Sequence, residues 1–376
     1  MLKIGITGQA GFIGKHIYNT LGLNPEKYER VLFKKEYFDS ESDLDVFVSS
    51  CDVIVHLAAM NRHNDANLIY KTNIELVQKL ISSLERTNSK PYVLFSSSTQ
   101  EEKDNLYGKS KKEGRELFVK WAQNNKAKFT GFVIPNVFGP FGHPYYNSVV
   151  ATFCHQISHG EEPIVNGDSQ LNLIYVGELV NEFINHLEKV LLKETFHETI
   201  IINHKHEINL VNLLNKITQF KQDYQEKGII PKLESQLDYL LFNTFRCYMP
   251  IQNYFPKKFV SHIDNRGAFT EIIRLGIGGQ VSFSTTVPQV TRGNHFHTRK
   301  IERFAVIKGK ALIQLRQIGT EKIMNFYLDG EEPAFVDMPI WFTHNIKNIG
   351  SEELYTLFWI NEFYDPNDPD TYFENV

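Results

Sequence analysis

Cysteine is scarce. Cys51, Cys154 and Cys247 are the only three in 376 residues, far apart and without a CxxC pair. That excludes a disulfide framework and a cysteine-based zinc cluster, and it predicts a reduced intracellular compartment. Long apolar runs are missing too: no stretch approaches the roughly 18 residues that span a bilayer. The opening Met-Leu-Lys-Ile-Gly-Ile-Thr-Gly enters a strand and a glycine turn with no apolar leader core. The expectation is a cytoplasmic protein with no membrane partner. Nor is there an excess of positive charge. Lys and Arg number 40 against 44 Asp and Glu, a formal charge of −4, which argues against nucleic acid as the main partner.

With 42% apolar and 22% charged residues, the chain is neither disordered nor fibrous. At about 150 residues per domain, its length predicts two domains. Aromatic residues reach 13%, which predicts half-buried pleated surface, expected to be densest after residue 257.

Up to about residue 245, short apolar runs alternate with helical stretches. Lys3–Thr7, Arg30–Phe33, Val53–Ala59, Tyr92–Ser97 and Thr130–Pro135 read as buried strands, Leu68–Arg86 and Lys109–Asn124 as helices. Such alternation predicts βαβ units and a parallel sheet covered on both faces. Leu210 to Phe245 reads as helical, and Pro250 and Pro256 bracket a linker. Beyond it come short β-type runs: Phe269–Arg274, Gln280–Thr286, Phe304–Ile307, Ala311–Arg316, Lys322–Leu328 and Leu354–Trp359. They predict a sandwich or small barrel.

Thr7-Gly8-Gln9-Ala10-Gly11-Phe12-Ile13-Gly14 joins the first strand to the first helix. Glycines permit a tight turn and close approach of a pyrophosphate, whose charge the helix N-terminus favours. Gly8, Gly11, Phe12, Ile13 and Gly14 are therefore candidates for dinucleotide binding. The second strand ends Phe33-Lys34-Lys35, without the acidic residue that would hold a ribose 2′-OH. Lys34 suits a 2′-phosphate and favours NADP over NAD, although two solvated lysines followed by Glu36 fit the same residues.

Tyr107 and Lys111, at i and i+4, share a helix face, and an ammonium beside a phenol lowers the phenol pKa toward the range useful in acid–base work. They follow a strand ending Ser96-Ser97-Ser98. With the glycine turn, His56-Leu57-Ala58-Ala59 and Pro135-Asn136-Val137-Phe138-Gly139-Pro140, these motifs resemble the extended short-chain dehydrogenase/reductase superfamily. The resemblance implies that Ser98 polarises a substrate oxygen, that Tyr107 is the acid/base, and that Lys111 supports Tyr107 and the nicotinamide ribose. Leu57, Ala58 and Asn136 then line the cofactor. Two features depart from the family. Only eight residues separate Ser98 from Tyr107, so Ser97 and Thr99 compete for the serine role, and Val133 stands where an arginine often precedes the Pro-Asn segment.

A second constellation is His295-Phe296-His297, Glu302, Gly309, Pro339, His344 and Asn348. On a strand, His295 and His297 face the same side. Three imidazoles and a carboxylate make a site for Zn, Mn, Fe or Ni, although His-x-His also occurs on exposed strands without metal. Strand alternation would put Glu302 opposite His297, so the chain must bend between them. The spacing resembles the two cupin motifs, with Trp341 where that family usually has glycine. Asp264-Asn265-Arg266-Gly267, Gln280 to Ser284 and Arg292-Gly293-Asn294-His295 further resemble cupin epimerases of nucleotide-linked 4-keto-6-deoxysugars.

Joined in this order, the halves resemble the bifunctional capsule-sugar enzymes, a likeness shared by Asn61-Arg62, Tyr146-Asn147-Ser148-Val149 and Asn361-Glu362-Phe363-Tyr364-Asp365-Pro366. The implied fold is α/β: a Rossmann-type doubly wound parallel sheet over residues 1–248, then an all-β cupin (double-stranded β-helix, jelly roll) over 257–376. The implied function is C3 epimerisation of UDP-2-acetamido-2,6-dideoxy-β-L-arabino-4-hexulose by the cupin. NADPH reduction of the C4 ketone to UDP-2-acetamido-2,6-dideoxy-β-L-talose follows, on the route to UDP-N-acetyl-L-fucosamine for capsule or O-antigen. Zinc on His295, His297, Glu302 and His344, the UDP-linked 4-keto-6-deoxysugar and a homodimer all enter from this resemblance. Arg62 and Asn147 are candidate substrate contacts, and a surface or cap role suits each equally. The alternative is a reductase whose cupin is only structural or dimerising.

Overall fold

The computed structural model describes residues 1–165, 167–190 and 195–376. Unbroken apolar runs such as Val53-Ile54-Val55 suit a sheet covered on both faces. Six strands form one parallel sheet in the order Tyr28–Val31, Leu2–Thr7, Val53–His56, Tyr92–Ser98, Lys128–Ile134 and Phe196–Ile201. Ile17, Leu21, Leu179 and Phe183, from helices Phe12–Leu21 and Val176–Val190, pack on one face. Helices Glu41–Ser49, Ala66–Arg86 and Leu106–Asn125 cover the other with Phe47, Leu80, Phe118 and Trp121. The strand order reverses between Leu2–Thr7 and Val53–His56, which opens a crevice at their carboxyl ends. Aromatics do not single out the C-terminal β-structure: Phe33, Phe38, Phe47, Phe95, Phe118 and Phe129 fill this α/β core.

Packing divides the chain into two compact units, Met1–Val149 with Asp168–Leu210, and Val150–Gly167 with Val211–Val376. A cut at residues 248–257 does not coincide with this division, because helices before it pack with the β-structure after it. Tyr224 donates to Asp337 Oδ2 (2.7 Å), Arg246 to Met338 O (2.6 Å) and Asn243 to Arg299 O (2.8 Å). Such long-range polar links leave no trace in local periodicity.

The β-structure of the second unit comprises two five-stranded antiparallel sheets and a separate hairpin, Ser261–Asp264 with Gly267–Thr270. One sheet runs Lys257–Lys258, Ala334–Met338, Glu302–Lys308, Leu354–Ile360, Gln280–Thr286. The other runs Ile323–Asp329, Lys310–Gln317, Phe342–Asn348, Thr291–Phe296, Tyr372–Phe373. Among the described residues, no helix is long and apolar enough to cross a membrane.

Candidate functional site

The first unit builds a cradle at the sheet's crevice. Gly8 has φ +76°, and a Cβ there would lie 2.9 Å from Ala58 N, so only glycine lets the turn approach the Leu57-Ala58 segment. A Cβ at Gly14 would lie 2.4 Å from Gly8 O, which keeps the helix tight against the turn. Helix Phe12–Leu21 begins at Gly11 with no side-chain cap and no acid in its first turn, leaving its N-terminal amides for an anion. On the facing strand, His56 Nδ1 lies 2.7 Å from Thr7 Oγ1, which also accepts from Ala58 N at 3.4 Å. Gly8, Gly11, Phe12, Ile13, Gly14, Leu57 and Ala58 thus share one crevice. Lys34 is exposed beside it, because Gln9 Oε1 accepts from Phe33 N at 3.3 Å.

Ser98 closes its strand and accepts from Gln100 N at 3.2 Å. Ser97 Oγ is tied to Glu101 and Thr99 is exposed, so Ser98 is the member of the trio with a half-buried hydroxyl at the strand end. The short connection to Tyr107 closes by backbone contact. Asn105 Oδ1 caps Gly108 N at 2.7 Å, and a Cβ at Gly108 would fall 1.9 Å from Gln100 O. Glu101 is held by Arg115 through bonds of 2.7 and 3.0 Å.

Lys111 is buried, its Nζ over the Phe95 ring at 4.9 Å, and burial pulls its pKa down to about 8 against the opposing pull of Glu101. Tyr107 departs from expectation: burial, with Tyr146 nearby, pushes its phenol up to about 12. Desolvation disfavours both charged forms and outweighs any help from the ammonium. Tyr107 is therefore a protonated donor at neutral pH.

Arg62 Nη1 donates to Tyr145 O (2.7 Å) and Tyr146 O (2.6 Å), so this guanidinium supports the segment leading to exposed Asn147. Asn136 is exposed on the short strand Asn136–Phe138. Asn73 escaped the sequence reading. Its Oδ1 accepts from Met60 N (2.7 Å), and its Nδ2 donates to Met60 O (3.1 Å) and Ser110 Oγ (3.0 Å), while Ser110 donates to Tyr107 O (2.7 Å). The available signal was a polar residue at core spacing between Ile69 and Val77.

In the second unit, His295, His297, Glu302 and His344 converge, one ligand atom from each lying within 4.8 Å of the others. His295 pairs with His344 across neighbouring strands, after a register shift at Gly293 and Asn294, both at positive φ. His297 lies beyond the strand's end, so strand alternation is not what aligns it with His295. The bend expected before Glu302 is residues 298–301, and Glu302 opens the next strand. Trp341 takes φ +62° in place of glycine, fixed by donation to His297 O (2.7 Å) and stacking on Phe296 (5.6 Å, 29°). Asn348 is structural: its Nδ2 donates to Thr286 O and Glu352 O, both at 2.7 Å.

The donor set fits a divalent cation. His297 Nδ1 donates to Asp370 O (2.5 Å) and His344 Nδ1 to Phe342 O (3.2 Å), so each ring turns Nε2 toward the cluster. His344 Nε2 is buried with no hydrogen bond, although it lies 3.1 Å from Glu302 Oε2, an ion-pair distance without hydrogen-bond geometry. Burial, reinforced by His344, pulls His295 down to about 4. Burial opposes the His297 cation, but Glu302 at 3.3 Å raises its pKa overall. Burial likewise opposes the Glu302 carboxylate, yet the two imidazoles hold it well below the usual range.

Residues 4–202 match the NAD dependent epimerase/dehydratase family, and residues 262–372 match the polysaccharide biosynthesis C-terminal domain. The chain is 31% identical over 372 residues to the UDP-2-acetamido-2,6-beta-L-arabino-hexul-4-ose reductase of Pseudomonas aeruginosa, covering 99% of this chain and 98% of that protein. The chain belongs to the NAD dependent epimerase/dehydratase family. Among solved structures, capsular polysaccharide assembling protein CapF from Staphylococcus aureus is 32% identical, covers 100% of both chains and superposes with a TM-score of 0.60. UDP-glucose 4-epimerase from Thermotoga maritima, at 19% identity and TM-score 0.54, covers 66% of this chain and 98% of its own; it shows the family fold alone.

Proposed function

We propose that this protein is a bifunctional nucleotide-sugar enzyme acting on UDP-2-acetamido-2,6-dideoxy-β-L-arabino-4-hexulose. Residues 257–376, a cupin, epimerise C3. The parallel-sheet unit that carries Tyr107 and Lys111 reduces the C4 ketone with NADPH to UDP-2-acetamido-2,6-dideoxy-β-L-talose, on the route to UDP-N-acetyl-L-fucosamine for capsule or O-antigen. The observation that carries the proposal is one chain holding both a half-buried Tyr107 one helical turn from buried Lys111 and a three-histidine, one-carboxylate cluster in which His297, Glu302 and His344 are buried and His295 half-buried. Likeness to a reductase of this hexulose along nearly the whole chain supports the choice of substrate.

In the reductase, a bound nicotinamide supplies hydride to C4. Ser98 donates a hydrogen bond to the ketone oxygen, and Tyr107, protonated at neutral pH, delivers its proton to the developing alkoxide. Lys111 is cationic below about pH 8 and stabilises the tyrosinate left behind. Asn136 and Asn147 face cofactor and sugar, with Arg62 holding the latter segment. Exposed Lys34 favours the 2′-phosphate of NADP. In the cupin, the C4 ketone acidifies the C3–H bond. A cation held by His295, His297, Glu302 and His344, zinc on this reading, supplies charge stabilisation for an enolate oxygen. The reading expects a cytoplasmic homodimer with no nucleic-acid or membrane partner.

Incubation with the UDP-4-ketosugar in deuterated buffer, with and without NADPH, tests both halves by NMR. Deuterium at C3 without NADPH, followed by talose product on its addition, is the expected result. Reduction with no exchange, unaltered by His297→Ala, would leave a reductase with a structural cupin. NADPH oxidation at full rate by Tyr107→Phe would refute the reductase site.

A further inference from the structure

The chain's last residues run beside the strand that carries His295. Tyr372–Phe373 pairs with His295–Phe296, Tyr372 stacks on Phe296 (5.4 Å, 28°), and Glu374 N donates to Asn294 O (3.0 Å). Just before this strand lies Asp370, 2% exposed and at φ +41°. Its Oδ1 accepts from Thr298 N (3.0 Å) and Thr298 Oγ1 (2.6 Å), its Oδ2 from Arg299 N and Lys300 N (both 3.0 Å), and its backbone O from His297 Nδ1 (2.5 Å). A non-glycine residue keeps a left-handed backbone only where its surroundings over-determine it, and these five bonds do so. The rest of the turn is also held from the tail: Lys300 Nζ donates to Pro369 O and Ile301 N to Asn361 Oδ1, both at 2.7 Å.

We infer that Asp370 is a positioning residue for the metal centre. Its carboxylate shapes the turn between two ligands, His297 and Glu302, and its carbonyl holds His297 in the tautomer that offers Nε2. The inference rests on reading His295, His297, Glu302 and His344 as a metal site, and it adds the C-terminal tail as the element that keeps that site in its ligating form. An amide at position 370 would turn an NH2 group toward backbone N–H donors that now meet a carboxylate, so the turn between His297 and Glu302 would lose its template although all four ligand side chains remain in the chain.

The full-length protein, Asp370→Asn and Thr298→Val are titrated with Zn²⁺ against a chromogenic chelator, and the visible spectrum of Co²⁺-loaded protein reads the ligand field. The wild type is expected to take up zinc. Asp370→Asn is expected to weaken uptake by about 10–100-fold, as loss of an outer-shell partner does, and to shift the Co²⁺ bands. Thr298→Val loses a single hydroxyl contact and should do the same more mildly, with NADPH binding unchanged in both. Zinc affinities and Co²⁺ spectra indistinguishable from wild type in both variants would overturn the inference and leave the metal site standing. A wild-type chain that takes up no zinc would overturn the metal reading, and the inference with it.

Discussion

Replacing Gly108 with alanine sets helix propensity against active-site geometry. Alanine is about 0.8–1.0 kcal/mol better than glycine inside a helix, so helix Leu106–Asn125 taken alone would gain. But a Cβ at this position would lie 1.9 Å from Gln100 O and 2.7 Å from Gln100 C, and the carbonyl would have to retreat beyond 3.4 Å. Gln100 N is bonded to Ser98 Oγ at 3.2 Å, so the retreat carries Ser98 away from Tyr107. Overpacking of this kind costs about 1–3 kcal/mol, more than the helix gains. A misplacement of about 1 Å in reacting groups costs about 100-fold in rate. Loss of NADPH absorbance on addition of the UDP-4-ketosugar should therefore slow by about 100-fold in kcat, and the melting temperature should fall. Gly114→Ala, on the same helix, is the control. The atoms nearest its Cβ would be side-chain ones, Val77 Cγ2 at 3.1 Å and Phe95 Cζ at 3.3 Å, which need shift by only a few tenths of an ångström. A Gly108→Ala enzyme as active as wild type and more thermostable would refute the packing of the Gln100 turn against the helix.

Lys111, drawn down to about 8 by burial, loses its charge as the pH rises through that value, so kcat for reduction should hold below it and fall above it. Glu101 raises the Lys111 pKa, so Glu101→Gln should move the alkaline limb to lower pH; a limb that stays in place contradicts this coupling. Asp337→Ala would strand Arg303, 1% exposed and bonded to Asp337 at 2.7 and 2.9 Å, and should lower stability to urea by about 3–5 kcal/mol. A loss below about 1 kcal/mol would put this pair in the class of solvated ion pairs. Lys34→Glu should raise KM for NADPH several-fold with little change for NADH, and an unaltered ratio would mean that Lys34 is merely solvated.

Local pattern carried five of the six strands of the parallel sheet, all but Phe196–Ile201: unbroken apolar runs, glycines at a strand-to-helix turn and a Tyr/Lys pair one helical turn apart are all short-range signals. Strands outside that reading include Gln170–Tyr175, His206–Asn209, Ala334–Met338 and Phe342–Asn348. Thr291–Phe296, placed on a strand in sequence only through His295, contains Gly293 and Asn294 at φ +98° and +61°, and Ala334–Met338 contains an aspartate whose charge is neutralised by Arg303. Site residues divide the same way. The three histidines and Glu302 were legible as residue types in order, whereas Asp370 meets His297 across 73 positions and Tyr224 meets Asp337 across 113. Arg62 reads in sequence as a candidate substrate contact or, equally, a surface or cap residue, and its Nη1 donates to two backbone carbonyls.

Where the chain departs from its relatives' patterns, compensation is built from backbone contacts. The shortened Ser98–Tyr107 connection is closed by a glycine that lets Gln100 O touch the helix, and Trp341 holds a glycine-type conformation through bonding to His297 O and stacking on Phe296. Each device lies beside a residue of the proposed sites, Tyr107 in one case and His297 in the other. Burial also raises the Tyr107 phenol to about 12, so the proposed ketone reduction starts with the phenol protonated and its hydroxyl available as a donor.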